Sequence, residues 1–220
     1  MTADQMRDVD RRMIEDFHIE LVQMMENAGR NLADLAVALF DPLDAVVLAG
    51  PGGNGGGGIV AARHLANRGV RIAITRSHAD DDLSPVTAHQ VEIAQRMVIA
   101  VDDEPREASL VIDALVGYGL RGDPAGRTAA LIRWANERSS PVLSLDIPSG
   151  LDATTGRIGD PCVRATATLT LALPKQGLVD TVQTGTLYVA DISVPRDLYG
   201  EMRIDVPALF TEGAVVRLEP

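Results

Sequence analysis

Three short stretches carry residue types that do chemistry, and each follows an apolar run. Gly50-Pro51-Gly52-Gly53-Asn54-Gly55-Gly56-Gly57-Gly58 holds seven glycines in nine residues. Asp113-Ala114-Leu115-Val116-Gly117-Tyr118-Gly119 and Asp146-Ile147-Pro148-Ser149-Gly150 each begin with a carboxylate. Glycine lets a ligand approach the backbone, and a helix opening after the first stretch, from about Ile59, would aim free N–H groups and a positive dipole end at a phosphate. Asp113 and Asp146, with the side-chain oxygens of Asn54 and Ser149, offer oxygen-only donors of the kind that suit a monovalent cation or magnesium rather than zinc.

Other chemistries fit less well. Gly50, Gly52 and Gly55 match G-x-G-x-x-G, but so does almost any glycine-rich run, and the acidic residue that a dinucleotide site wants about 20 positions later is replaced by Arg76, Ser77 and His78. Arg76 would suit a 2′-phosphate, which leaves an NADP oxidoreductase as a weaker reading. No Lys-Ser/Thr follows the glycines, so the stretch is not a Walker A loop. His18, His64, His78 and His89 are scattered without metal-ligand spacing, and the lone Cys162 has no His beside it in sequence.

These stretches need a scaffold. Thr2-x-x-Gln5 reads as a capping box that opens a helix carrying Met6, Val9, Met13, Ile14 and Phe17 at helical spacing. A second helix presents Leu21, Met24, Met25, Ala28, Leu32, Leu35 and Leu39 on one face; its methionines read as core filling. Strands are expected at 45–49, 70–75, 97–101, 110–112, 142–145, 166–173 and 186–189, with helices at 59–67, from Ser84-Pro85 to Arg96, and at 128–137. Residues 206–220 read as a final strand or a linker stub. The alternation predicts βαβ units and a mostly parallel sheet. In such a sheet ligands bind outside the carboxyl ends of the strands, so the three stretches meet in one crevice if their strands are neighbours.

Composition bounds the rest. The 220 residues, 46% hydrophobic and 23% charged, suffice for one domain. A net charge of −11 argues against nucleic acid but not against a phosphate held by local N–H groups. One cysteine excludes an intrachain disulfide and fits a cytoplasmic protein; the charged N-terminus lacks a signal peptide's apolar core, and no run is long enough to span a membrane. Of the 20 basic residues, Lys175 alone is not arginine. Either coding bias explains that, or Lys175 persists because a flexible point charge is needed there.

Taken in order, five segments resemble the YjeF N-terminal domain family: Met25-Glu26-Asn27-Ala28-Gly29 for M-E-x-A-G, GPGGNGGGG at 50–58 for G-P-G-N-N-G-G-D-G, DALVGYGL at 113–120, DIPSGLDATTG at 146–156, and PKQGL at 174–178. The resemblance implies a Rossmann-like three-layer α/β/α sandwich, a homodimer, and an isomerase that interconverts the R and S forms of hydrated NADH and NADPH (NADHX and NADPHX). It implies a K+ site at Asn54, Asp113 and Ser149. Substrate contacts are implied from Gly53, Asn54, Gly55, Gly56 and Gly57, from Gly117, Tyr118, Gly119, Leu120, Arg121, Gly122 and Asp123, and from Asp146. The chain reads as this one domain, without the kinase-like dehydratase domain found in some relatives. Gly53 replaces the family's first loop Asn and Gly57 its Asp, so two polar groups are missing. The catalytic candidate is Asp146, expected both to protonate the departing hydroxyl and to deprotonate the incoming water. The alternative is a non-catalytic nucleotide-binding or dimerisation module of the same fold.

Overall fold

The computed structural model describes residues 1–179 and 181–218. Its centre is one eight-stranded sheet in the order β3-β2-β1-β4-β5-β6-β7-β8, parallel throughout except for the last pair. The strands are β1 (Asp44–Ala49), β2 (Arg71–Arg76), β3 (Ala100–Asp102), β4 (Leu110–Ala114), β5 (Val142–Leu145), β6 (Ala167–Leu171), β7 (Thr186–Ala190) and β8 (Val215–Arg217). The helices are α1 (Ala3–Glu15), α2 (Leu21–Phe40), α3 (Gly53–Ala66), α4 (Pro85–Arg96), α5 (Gly126–Asn136) and α6 (Arg196–Glu201).

Side-chain alternation along β1 explains the layering. Ala45, Val47 and Ala49 join the core with α2 and α3, whereas Val46 and Leu48 join Leu131, Ile132 and Ala135 of α5 on the opposite face. Both faces are therefore apolar and covered, as a parallel sheet requires, and the result is the expected three-layer sandwich. The tail does end in a strand, β8, antiparallel to β7; residues 219–220 lie outside the described residues.

Two local expectations are corrected. The third strand begins at Ala100 rather than Met97: Met97 caps α4, and the 91%-exposed Val98 turns the chain with φ +60°. The larger correction concerns α3, which starts at Gly53 and not near Ile59. Five glycines thus lie in this helix despite each costing about 1 kcal/mol of helix propensity, and at Gly55, Gly56, Gly57 and Gly58 close packing leaves little room for a side chain. A Cβ on Gly56 would stand 2.6 Å from Met25 Cε, and one on Gly58 2.4 Å from Ala114 Cβ.

The N-terminal helix α1 is held beside the sheet's carboxyl edge. Its capping box is formed as expected, with Gln5 N–H donating to Thr2 Oγ1 and Thr2 N–H to Gln5 Oε1. Met6, Val9 and Met13 pack with Leu198 and Tyr199 of α6, and Ala3 N–H donates to Thr154 Oγ1 at 3.0 Å. No described helix is long and apolar enough to cross a membrane.

Candidate active site

The strand order makes β1, β4 and β5 consecutive neighbours, with Ala49 opposite Ala114 and Asp113 opposite Ser144. The three turns after these strands therefore open on one side of the sheet. The order also reverses between β1 and β4, which is where open α/β sheets bind ligands. A cleft of about 670 Å³ lies there, within the size range of small-molecule sites.

Asp146 stands in this cleft, 3% exposed. It follows β5 directly and takes φ +67°, a conformation uncommon for a non-glycine residue but tolerated by Asp. Both carboxylate oxygens are engaged. Lys175 Nζ donates to Oδ1 at 2.5 Å, and the Tyr118 backbone N–H donates to Oδ2 at 3.1 Å. Lys175 is completely buried, and its remaining bonds go to Thr170 Oγ1 and the Leu171 carbonyl. The open question about Lys175 is thereby answered: it is the charge partner of Asp146.

The glycine stretch contributes a helix end rather than a loop. The first helical hydrogen bond runs from Gly56 N–H to the Gly52 carbonyl, so the N–H groups of residues 53–55 have no helical partner. Those of Gly56 and Gly57 are used within the helix. Gly53, Asn54 and Gly57 line the cleft, whereas Gly55 and Gly56 turn inward onto Gly50 and Met25. Thr87 of α4 fixes this end by donating to the Gly52 carbonyl at 2.9 Å. Gly117, Tyr118 and Gly119 line the cleft; Leu120, Arg121, Gly122 and Asp123 do not, and Asp123 instead pairs with Arg157 at 2.7 Å near the surface.

Asp113 is not at a strand end but within β4, fully buried and behind the cleft wall. Ser144 Oγ, Ser149 N–H, Ser149 Oγ and Leu115 N–H all donate to it. Burial raises its pKa, and these neutral donors pull the other way. Among the described residues it has no ion-pair partner. The Asn54 amide nitrogen is also buried without a partner. Two of the three oxygen donors expected of a cation site, Asp113 and Ser149, are thus in contact behind the cleft wall, and the third, Asn54, lines the cleft.

Residues outside the expected set complete the cleft. Asp10 of α1 faces it and accepts a 2.5 Å hydrogen bond from the Tyr118 phenol. Met6, Met24 and Met25 line it while also filling core, so the methionine faces serve both purposes. His78 reaches the rim and bonds to Ser77 Oγ, and His64 pairs with Glu26. Cys162 is buried, and burial pushes its thiol up to about 12. Iodoacetamide at pH 8 is therefore expected to leave the native protein unlabelled and to modify it once unfolded; rapid native labelling by mass spectrometry would contradict this burial.

Residues 21–177 match the family model described as YjeF-related protein N-terminus. A protein of Dehalogenimonas lykanthroporepellens named NAD(P)H-hydrate epimerase is 44% identical over 99% of this chain and 92% of its own length. A Rhodopirellula baltica protein of the same name is 35% identical over 93% of this chain and 88% of its own. A Salinibacter ruber protein named bifunctional NAD(P)H-hydrate repair enzyme is 34% identical, and this chain spans 41% of its length. In shape the chain is similar to a yeast protein of known crystal structure, with a TM-score of 0.85, 21% identity and coverage of 99% and 98% of the two chains.

Proposed function

The chain belongs to the YjeF N-terminal family, and from that premise we propose that it is an NAD(P)H-hydrate epimerase, interconverting the R and S forms of NADHX and NADPHX. The similarity to the Dehalogenimonas epimerase over 99% of the chain carries this reading. The cleft supports it with a charged pair, Asp146 and Lys175, among apolar walls.

In this reading the N–H groups of residues 53–55 hold the pyrophosphate. The hydrated ring lies against the apolar wall beside Asp146. Inversion breaks the C–O bond next to the ring nitrogen, helped by the nitrogen lone pair, and a water forms the new C–O bond from the other face. Asp146 takes the proton of that water, and Lys175 keeps its carboxylate in place. Asn54, Asp113 and Ser149 would hold a potassium ion, whose positive charge would order the turn and offset phosphate charge. The reading extends to a cytoplasmic homodimer, on family resemblance.

Gly53 and Gly57 bear on efficiency. Both face the cleft; a Cβ at Gly53 meets nothing within 4 Å, and one at Gly57 approaches the Leu145 side-chain end at 2.9 Å. An Asp at 57 therefore needs only a small movement of Leu145. Purified protein with R-NADHX in potassium buffer, followed by chromatography, is expected to form the S isomer faster than a no-protein control. Gly57→Asp is expected to raise kcat/KM about tenfold, since a hydrogen bond to a charged group contributes about 1.5–3 kcal/mol. Tight nucleotide binding without conversion, in the wild type and in Gly57→Asp alike, would instead identify a non-catalytic binding module.

A further inference from the structure

Inverting a centre by losing a hydroxyl from one face and adding water to the other engages both faces. The departing oxygen must gain a proton, and the arriving one must lose a proton. Asp146, on the cleft wall, meets the second need in the reading above. The described cleft holds another carboxyl, Asp10 of α1, outside the 21–177 segment that matches the family model.

Tyr118 links the two carboxyls. Its backbone N–H donates to Asp146 Oδ2, while its phenol donates to Asp10 Oδ2 at 2.5 Å. The carboxyls are thus joined through one tyrosine, by hydrogen bonds of 3.1 and 2.5 Å at its two ends. In inverting glycosidases, two carboxyls about 6.5–9.5 Å apart flank the reacting carbon with room for a water between them.

We propose that Asp10 is the second proton-handling group of the cleft, giving a proton to the departing hydroxyl on the face opposite Asp146. This rests on the epimerase reading. The C–O bond breaks as the oxygen takes the Asp10 proton and leaves as water. The arriving water forms the new bond and gives its proton to Asp146. One proton has then passed from Asp10 to Asp146, which sets the pair for the reverse conversion; exchange with solvent resets it.

The surroundings of Asp10 favour its neutral form. Burial raises the carboxyl above its usual range, against the Tyr118 hydrogen bond and the charge of Lys175, while the charge of Asp146 adds to the rise. With the phenol donating to Oδ2, Oδ1 remains to carry the proton.

The test compares wild type, Asp10→Asn, Asp10→Ala and Tyr118→Phe for R-to-S conversion, and for binding of NADPH as an unreactive probe. Asp10→Asn is expected to lose about 10²–10⁴ in kcat with its NADPH Kd within about threefold of wild type. Tyr118→Phe should lose less than Asp10→Asn, and added imidazole, whose protonated form can donate near neutral pH, should restore turnover to Asp10→Ala, which a merely structural role would not permit. The proposal fails if Asp10→Asn keeps wild-type kcat, if its loss lies in Kd alone, or if imidazole rescues nothing. A wild type without turnover would refute the epimerase reading itself, a result distinct from each of these.

Discussion

Asp146→Asn is expected to abolish conversion of R-NADHX, a fall of about 10²–10⁴ in kcat, and to destabilise the fold. The two effects have one origin. Lys175 is 0% exposed and Asp146 3%, so each charge relies on the other. Removing one partner of a buried pair strands the other and costs about 3–5 kcal/mol, whereas replacing both by uncharged residues is often nearly neutral. Lys175→Met should therefore destabilise about as much as Asp146→Asn. The double variant should regain much of the loss, though not all, because the Leu171 carbonyl loses one of its two donors and keeps the Leu173 N–H, and a hydrogen bond contributes about 0.5–1.5 kcal/mol.

Urea unfolding of the four proteins, beside their conversion rates, separates the two roles. The expected pattern is a stable but inactive double variant, which shows that chemistry and not collapse was lost. A double variant as unstable as the sum of the singles would mean that the charges are not coupled in the fold. Unchanged turnover in Asp146→Asn would remove it from the mechanism.

Legibility in the sequence followed locality. The strand-then-turn pattern at 45–58, 110–119 and 142–150 marked the three turns of the site, because apolar runs ending in Gly or Asp are signals within one segment. Their convergence needed one fact beyond any segment, the adjacency of β1, β4 and β5. Asp10 and Lys175 gave no comparable signal. Asp10 sits in an ordinary run of charges on an amphipathic helix, and Lys175 was notable only as the lone lysine and as a member of the PKQGL segment. Topology brings them from opposite ends of the chain to the same carboxylate-lined cleft.

The misplaced start of α3 has a different cause. Helix propensity argues against a helix through Gly55-Gly56-Gly57-Gly58, and hydrophobic periodicity is silent where side chains are absent. Packing overrides propensity here: α3 lies so close to α2 that a Cβ on Gly29 would meet Val60 at 2.5 Å and the Gly57 carbonyl at 2.7 Å. What reads in sequence as a glycine turn ahead of the helix is a close-packed helix end whose Gly53 and Asn54 line the cleft.

That difference yields a prediction with opposite signs two residues apart. Gly55→Ala places a Cβ 1.9 Å from the Gly50 carbonyl oxygen, a contact that backbone must move to relieve. Overpacking of this kind costs about 3 kcal/mol or more, and the displaced helix start should weaken nucleotide binding as well. Gly53→Ala meets nothing within 4 Å and occupies the first helical position. It should stabilise by about 0.5–1 kcal/mol through reduced chain entropy in the unfolded state. For a domain of this size 1 kcal/mol shifts Tm by about 2–4 °C, so the two variants should differ by roughly 7 °C or more in a thermal melt. A flexible glycine loop predicts small and similar shifts for both. Equal melting temperatures would therefore return residues 53–58 to a loop and remove the helix end that the proposed pyrophosphate site depends on.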